Sequence, residues 1–314
     1  YNDPVLYHNG KPVKTKGYCT NLFHERAMDW MGEQKKAGKP FFAYIPTNVV
    51  HSPQQPPNPE YALGDGETEG KNGIIRNYDR NVGRVMQFLE KSDLLESTLV
   101  VLVCDNGSNS GNKKLRGGKG SPYEGGIRVP CFMFWKGKVG GAVDCDALTG
   151  IIDFWTTFAA LAGSKAKAPG DKIWDGKSLL PLLEKPDADW PRRYIVGHKS
   201  RWGNGKADAS KYANAAIQDE RYKLVNNVEL YDLSKDLSEK SDIAAANPEV
   251  VERLRGVYNK FWSDARPFMV NEDAPTERAI VRPYWELYEK HIGPMPDVPE
   301  KPANRKKPRK AKKK

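Results

Sequence analysis

The sequence predicts an α/β protein with a mainly parallel sheet flanked by helices, followed by a small α+β region with an antiparallel sheet. Three observations predict it. Residues 98–104, TLVVLVC, form a short, almost wholly apolar and largely β-branched run, as expected of a strand buried on both faces. Other short apolar runs are interspersed with stretches whose apolar residues recur every three or four positions, the helical period. Past residue 185 the pattern changes to several short strands in quick succession. A chain of 314 residues suits one large domain with a small appendage.

Residues 1–20 read as a leader into the first helix. Residues 21–37 place Leu22, Ala27, Trp30 and Met31 near helical spacing, with Gly38 as a C-cap and His24 and Glu25 on the surface. Residues 40–46, PFFAYIP, give a second buried strand closed by proline. It runs into His51, which on position alone is a structural hydrogen-bonder or a catalyst. Residues 56–70 are rich in Pro, Gly and acid, as in a surface loop. Residues 72–89 carry Ile75, Tyr78, Val82, Val85 and Leu89 at intervals of three and four, an amphipathic helix.

The run 98–104 ends in Asp105-Asn106-Gly107. In open α/β sheets, ligands sit beyond the carboxyl ends of the strands. Two adjacent oxygen donors there suit a hard cation, calcium or magnesium, and equally an Asx turn leaving a strand. Residues 115–126 then set five glycines around Lys119 and Glu124. Glycine lets a backbone approach a ligand closely, and a lysine on such a loop can grip a tetrahedral anion. A solvated surface hairpin is the plainer reading of that loop.

Residues 131–135 form another short buried strand, and 151–162 (IIDFWTTFAALA) a largely apolar core helix stopped by Gly163. Residues 194–196, 216–218, 222–225 and 229–233 are short antiparallel strands. Asn247-Pro248-Glu249 is an N-cap, a proline at N1 and a first-turn acid, opening a helix with Val251, Leu254, Val257 and Phe261 on one face. The boundaries expected are 1–185 for the main domain, 186–265 for the small one, 266–300 for a Pro-rich extension and 301–314 for a tail.

The net charge of +10 is concentrated in that tail, whose seven lysines and two arginines meet no acid. The body is nearly neutral, so its composition gives no sign of a nucleic-acid-binding surface, and the tail is expected to be disordered. No run of about 18 apolar residues is present to span a membrane. Cys19, Cys104, Cys131 and Cys145 show no metal-binding spacing, and Cys104 and Cys131 read as buried free thiols.

Asp105-Asn106-Gly107, followed by residues 115–130 (LRGGKGSPYEGGIRVP), closely resembles the second half of the type I, arylsulfatase-like sulfatases of the alkaline phosphatase superfamily. The likeness runs from about Gly17 to Ala265. The pattern Phe-Phe-x-Tyr-x-Pro-x-Asn-x-x-His-x-Pro over 41–53 resembles the family segment that supplies an active-site histidine. The resemblance implies an alkaline-phosphatase-like sheet, incomplete on its N-terminal side, with Asp105 and Asn106 holding one divalent cation, usually Ca2+. It implies that Lys119 and His51 bind the sulfate and serve the leaving oxygen, with Asp105 also helping to deprotonate the nucleophile. His198 and Arg201, in 197–203 (GHKSRWG), are expected at the rim, contacting the leaving-group part of the substrate beside Trp202.

Such enzymes take their nucleophile, formylglycine, from a Cys/Ser-x-Pro-x-Arg signature, which these 314 residues do not contain. The resemblance therefore implies the C-terminal two-thirds of a sulfatase whose active site is completed by an upstream segment, exposing apolar sheet edges here and leaving this segment inactive alone. The function expected of the parent is hydrolysis of an aryl or carbohydrate sulfate monoester, in the periplasm or secreted. One alternative is a phosphoesterase or phosphonate hydrolase of the same superfamily, which would want further His/Asp ligands. The other is a non-catalytic fragment or sulfated-glycan-binding protein.

Overall fold

The computed structural model describes residues 1–108, 114–166, 168, 174–203, 205–269 and 283–294. Its elements in order are β1 (Val5–His8), β2 (Lys11–Lys14), α1 (Cys19–Lys36), α2 (Gly70–Lys91), β3 (Val100–Val103), α3 (Glu124–Ile127) and β4 (Cys131–Phe134). There follow α4 (Ile152–Leu161), α5 (Leu180–Glu184), β5 (Ile195–His198), β6 (Ala215–Gln218), β7 (Tyr222–Val225), β8 (Glu229–Asp232), α6 (Pro248–Ala265) and α7 (Pro283–His291). Two compact units result, one holding residues 1–93 with α7, the other the described residues between 94 and 278.

The first unit opens on a hairpin rather than a plain leader. β1 and β2 pair antiparallel, His8 opposite Lys11, across Asn9-Gly10 at φ 50° and 78°. Both central residues at positive φ is the geometry Asn-Gly favours, because its twist matches that of the strands. Behind it α1 packs on α2, and much of what they bury is polar. Asn21 Oδ1 accepts from Asn77 and Asn81 Nδ2, both at 2.9 Å. The fully buried Glu67 accepts from Asn77 Nδ2 and Leu63 N, both at 2.8 Å, and pairs with Arg80 at 3.1 Å. Each buried polar atom needs such a partner, which fixes the register of the two helices. The apolar share comes from Met31, Ile74 and Leu89, whereas Ile75, expected inside, is exposed.

His24, expected on the surface, is buried. Its Nδ1 lies 2.7 Å from the Thr20 carbonyl, one turn back, and its ring meets Tyr78 edge-on at 5.9 Å. Residues 40–46 join no sheet among the described residues, and Phe42 and Tyr44 are exposed. Without a partner strand an apolar run has no ladder to enter, whatever its propensity.

In the second unit β3 pairs with β4, Val100 opposite Phe134 and Val103 opposite Cys131. The pair is antiparallel, as is every strand pair among the described residues, so the mainly parallel sheet expected from the sequence is not formed there. Burial on both faces needs a layer on each side, and this pair exposes Phe132 and Phe134. Cys104 and Cys131, expected buried, are exposed for that reason and because Cys104 follows the last paired residue of β3.

Helix α4 inverts its expected orientation. Ile151, Ile152 and Trp155 are exposed, while Asp153 and Thr157 are buried. Asp153 pairs through both oxygens with buried Arg193 at 2.8 and 2.9 Å and accepts the Gly150 and Lys177 amides at 2.8 Å. Both contacts come from one Arg193 nitrogen, Nη1, while Nη2 donates to the Asp175 carbonyl at 3.3 Å, and a pair whose remaining hydrogen-bonding sites are filled in this way is the condition under which a charge can be buried.

The four-stranded sheet runs β5-β6-β7-β8, antiparallel throughout. One face, with Ile217, Leu224 and Leu230, is covered by Val251, Leu254, Tyr258 and Trp262 of α6. The buried spacing on α6 is thus three, four, four, which leaves Phe261 outside. Asn247 stands at the N-cap position but gives its amide to the Ile243 carbonyl at 2.9 Å instead of capping. The opposite face, with Ala216, Val225 and Tyr231, packs against Tyr123, just ahead of α3. Residues 301–314 and 270–282 lie outside the described residues, while 283–291, within the supposed extension, forms α7 and packs Tyr284 edge-on against Tyr7 at 4.9 Å.

Candidate functional site

In the second unit, chain leaving β3 meets chain entering α3. Gly107 N donates to the Gly126 carbonyl at 2.9 Å, and Lys119 N donates to the Ser108 carbonyl at 3.0 Å. A Cβ on Gly107 would stand 1.9 Å from the Gly125 carbonyl oxygen, so only glycine permits this approach. Asp105-Asn106 and the loop bearing Lys119 are thereby stitched together by backbone, two of the predicted groupings made one.

Asp105 is exposed and has no ion pair among the described residues. Asn106 spends its amide on the Gly107 carbonyl at 3.1 Å, which leaves its Oδ1 as an acceptor. Two neighbouring hard oxygens, one charged and one neutral, match the donors a calcium ion takes, and supply two of the six to eight it needs. No group of three or more His, Cys, Asp or Glu side chains suited to a metal exists among the described residues. The donor chemistry therefore fits a hard cation as part of a shell.

The loop is held from below by buried charge. Lys223, on β7, is fully buried between Glu124 at 2.9 Å and Glu239 at 2.8 Å, and Glu239 also accepts the Glu124 amide at 2.7 Å. Burial pushes the Glu239 carboxyl up, and the Lys223 ammonium pulls the other way. Arg116 stacks over Tyr123 at 4.0 Å and pairs with Glu229 at 3.0 Å, while Tyr123 donates to the same carboxylate at 2.9 Å. The sequence marked Glu124 only as the loop's acid. Its partners Lys223 and Glu239 lie about a hundred residues on and carry no local signal.

Residues 198–202 leave β5 on the same unit. His198, half-buried, has its ring 5.2 Å from Trp202 and 5.6 Å from Trp262, with Nε2 3.2 Å from the Ser210 carbonyl. Burial holds its pKa below the usual imidazole range. The ring thus faces the aromatic cluster, and Arg201, next but two, is exposed. Lys199, which the sequence did not single out, extends its side chain to Gly120 of the glycine loop.

His51 belongs to the first unit. It is exposed, its Nδ1 lies 2.8 Å from the Ser52 carbonyl, and its own carbonyl accepts from the Tyr1 hydroxyl at 3.0 Å. A neutral imidazole satisfies that contact by carrying its proton on Nδ1, which presents Nε2 as an acceptor. Cys19 Sγ to Asn48 Oδ1 at 3.5 Å and Tyr18 hydroxyl to the Gln55 carbonyl at 3.0 Å tether the loop on either side.

Residues 1–164 match the Sulfatase family model, and residues 118–261 match that of N-sulphoglucosamine sulphohydrolase, C-terminal. The chain is 28% identical over 309 residues to the uncharacterized sulfatase YdeN of Escherichia coli K12, covering 85% of this chain and 54% of the relative. It is 29% identical over 293 residues to a sulfatase of Formosa agariphila, covering 83% and 52%. The chain spans about half the length of these curated relatives. The crystal structure of Ps i-CgsB in complex with k-i-k-neocarrahexaose superposes with a TM-score of 0.68 at 29% identity, covering 82% of this chain and 58% of that one. The likeness carries the α/β fold of that structure to this chain.

Proposed function

Because the chain belongs to the sulfatase family, over whose model residues 1–164 align, we propose that it furnishes part of the active site of a hydrolase of carbohydrate sulfate monoesters. The observation that supports the reading is the backbone stitch Gly107–Gly126 and Lys119–Ser108, which ties the glycine loop bearing Lys119 to the segment that follows Asp105 and Asn106. A sulfate ester needs its non-bridging oxygens neutralised and its leaving oxygen protonated. Lys119 is assigned to the sulfate oxygens. Asp105 and Asn106 are assigned to a calcium ion, which when bound polarises the same group. His51, through Nε2, is assigned to the leaving oxygen, and Asp105 also to the proton of the nucleophile. His198 and Arg201 are assigned to the rim, contacting the leaving-group part of the substrate.

The mainly parallel character of the sheet, the boundary near residue 185 and a periplasmic or secreted location belong to the same proposal. Among the described residues no helix is long and apolar enough to cross a membrane. The carbohydrate class is favoured by the solved complex of Ps i-CgsB with a neocarrahexaose.

The test is sulfate release from sulfated saccharides by the protein expressed from its native gene, with phosphate monoesters in parallel. Lys119→Ala is expected to lower kcat/KM by about a hundredfold, the cost of one lost charge-stabilising donor. Phosphate turnover exceeding sulfate turnover, or full sulfatase activity in the Lys119 variant, would overturn the reading.

A further inference from the structure

Lys199 lies where β5 ends, and its position is set on both sides. Its amide donates to the Asn214 carbonyl at 3.0 Å, its carbonyl accepts the Arg201 amide at 2.6 Å, and the preceding His198 ring is wedged against Trp202 and Trp262. From there the side chain lies along the glycine loop. A Cβ on Gly120 would meet Lys199 Nζ at 3.0 Å, Cε at 3.3 Å and Cδ at 3.7 Å. Glycine at 120 thus leaves the space that the end of this lysine occupies, one residue from Lys119, whose Cα stands about 3.8 Å away along the chain.

Neither Lys119 nor Lys199 nor Arg201 has a carboxylate within ion-pair distance among the described residues. Elsewhere in this unit positive groups near the loop are matched, Arg116 by Glu229 and Lys223 by Glu124 and Glu239. Lys199 thus carries an ammonium with no carboxylate partner among the described residues to the residue next to Lys119, a positive pole that attracts an anion. One sulfate satisfies Lys119. Lys199 comes from a different element and approaches the loop from the β5 side, so it presents a second positive pole.

We propose that Lys199 is a specificity-determining contact for a second anionic group, sulfate or carboxylate, on the sugar that carries the scissile ester. The proposal rests on the assignment of Lys119 to that ester. A lysine suits this part because its ammonium is a point charge that accepts either anion without demanding a fixed fork geometry.

Calorimetric titration of the natively expressed protein with glucosamine 2-N,6-O-disulfate and with glucosamine 6-sulfate separates the two assignments. The wild type is expected to bind the disulfate about tenfold more tightly, the worth of one charge-assisted contact. Lys199→Met is expected to remove that margin while keeping the monosulfate affinity, and Lys199→Arg to retain it. A wild type without the margin, a margin that survives in Lys199→Met, or no binding of either sugar overturns the proposal. Lys119→Met is expected to weaken both sugars alike. If it weakens neither, the assignment of the ester to Lys119 fails on its own, whatever the Lys199 variants show.

Discussion

His24 is the residue whose environment differs most from what its neighbours in sequence suggest. Burial in α1, against Tyr78, depresses its pKa, and Arg84 adds to the effect, while the Thr20 carbonyl opposes it. The folded chain thus binds a proton at this ring less readily than the unfolded chain, whose imidazole titrates near pH 6.5. Between the two pKa values the unfolded state holds more protons, so stability falls as pH drops through about 6.5 and levels off below the folded value. Each tenfold difference in proton affinity is worth about 1.4 kcal/mol. Urea midpoints measured at pH 7.5 and 5.5 are expected to fall further for the wild type than for His24→Gln. Equal losses in the two proteins would show that the acid sensitivity lies elsewhere.

At the scale of elements, α4 reverses the usual ranking of its side chains. Thr157 donates to the Asp153 carbonyl at 2.6 Å and accepts the Leu179 amide at 2.9 Å, whereas Trp155 is 57% exposed. Thr157→Val keeps the shape and orphans a buried amide, at a cost of about 1–3 kcal/mol. Trp155→Ser is expected to change stability by less than about 0.5 kcal/mol, as exposed positions do. Thermal unfolding of the two variants decides it, and a larger loss from Trp155→Ser would mean that face is covered. The same helix shows what the sequence could reveal. Its limits and Gly163 stop were legible, because periodicity and caps are local. Which face goes inward was not, because Asp153 finds Arg193 forty residues away. The strands β5 to β8 were legible for the local reason too, and the Asn9-Gly10 hairpin carried a signal that went unused. Asp105, Asn106 and Lys119 stood out by residue type and order. Lys199 did not, since only the fold brings it to Gly120.

At the scale of the molecule, the two units are held by different chemistry. In the first, α1 meets α2 through Asn21, Asn77 and Asn81, with Glu67 and His24 buried beside them. A satisfied hydrogen bond of this kind nets about 1 kcal/mol, since water offered the same bonds before folding. In the second, eight buried residues, four from the β5–β8 sheet and four from α6, pack together with Ala207, all apolar in body. Full burial of a large apolar side chain contributes about 1.5–3 kcal/mol. Local opening draws on whichever region has least to lose, so amides of α1 and α2 should exchange with solvent before those of β6, β7 and α6. Acid should widen the gap, because the His24 penalty falls in the first unit at its helix interface. Peptide-resolved hydrogen exchange of the natively expressed protein at pH 7.5 and 5.5 measures both effects. Exchange in the reverse order, or one common opening free energy for all five elements, would mean that apolar burial does not set which unit opens first.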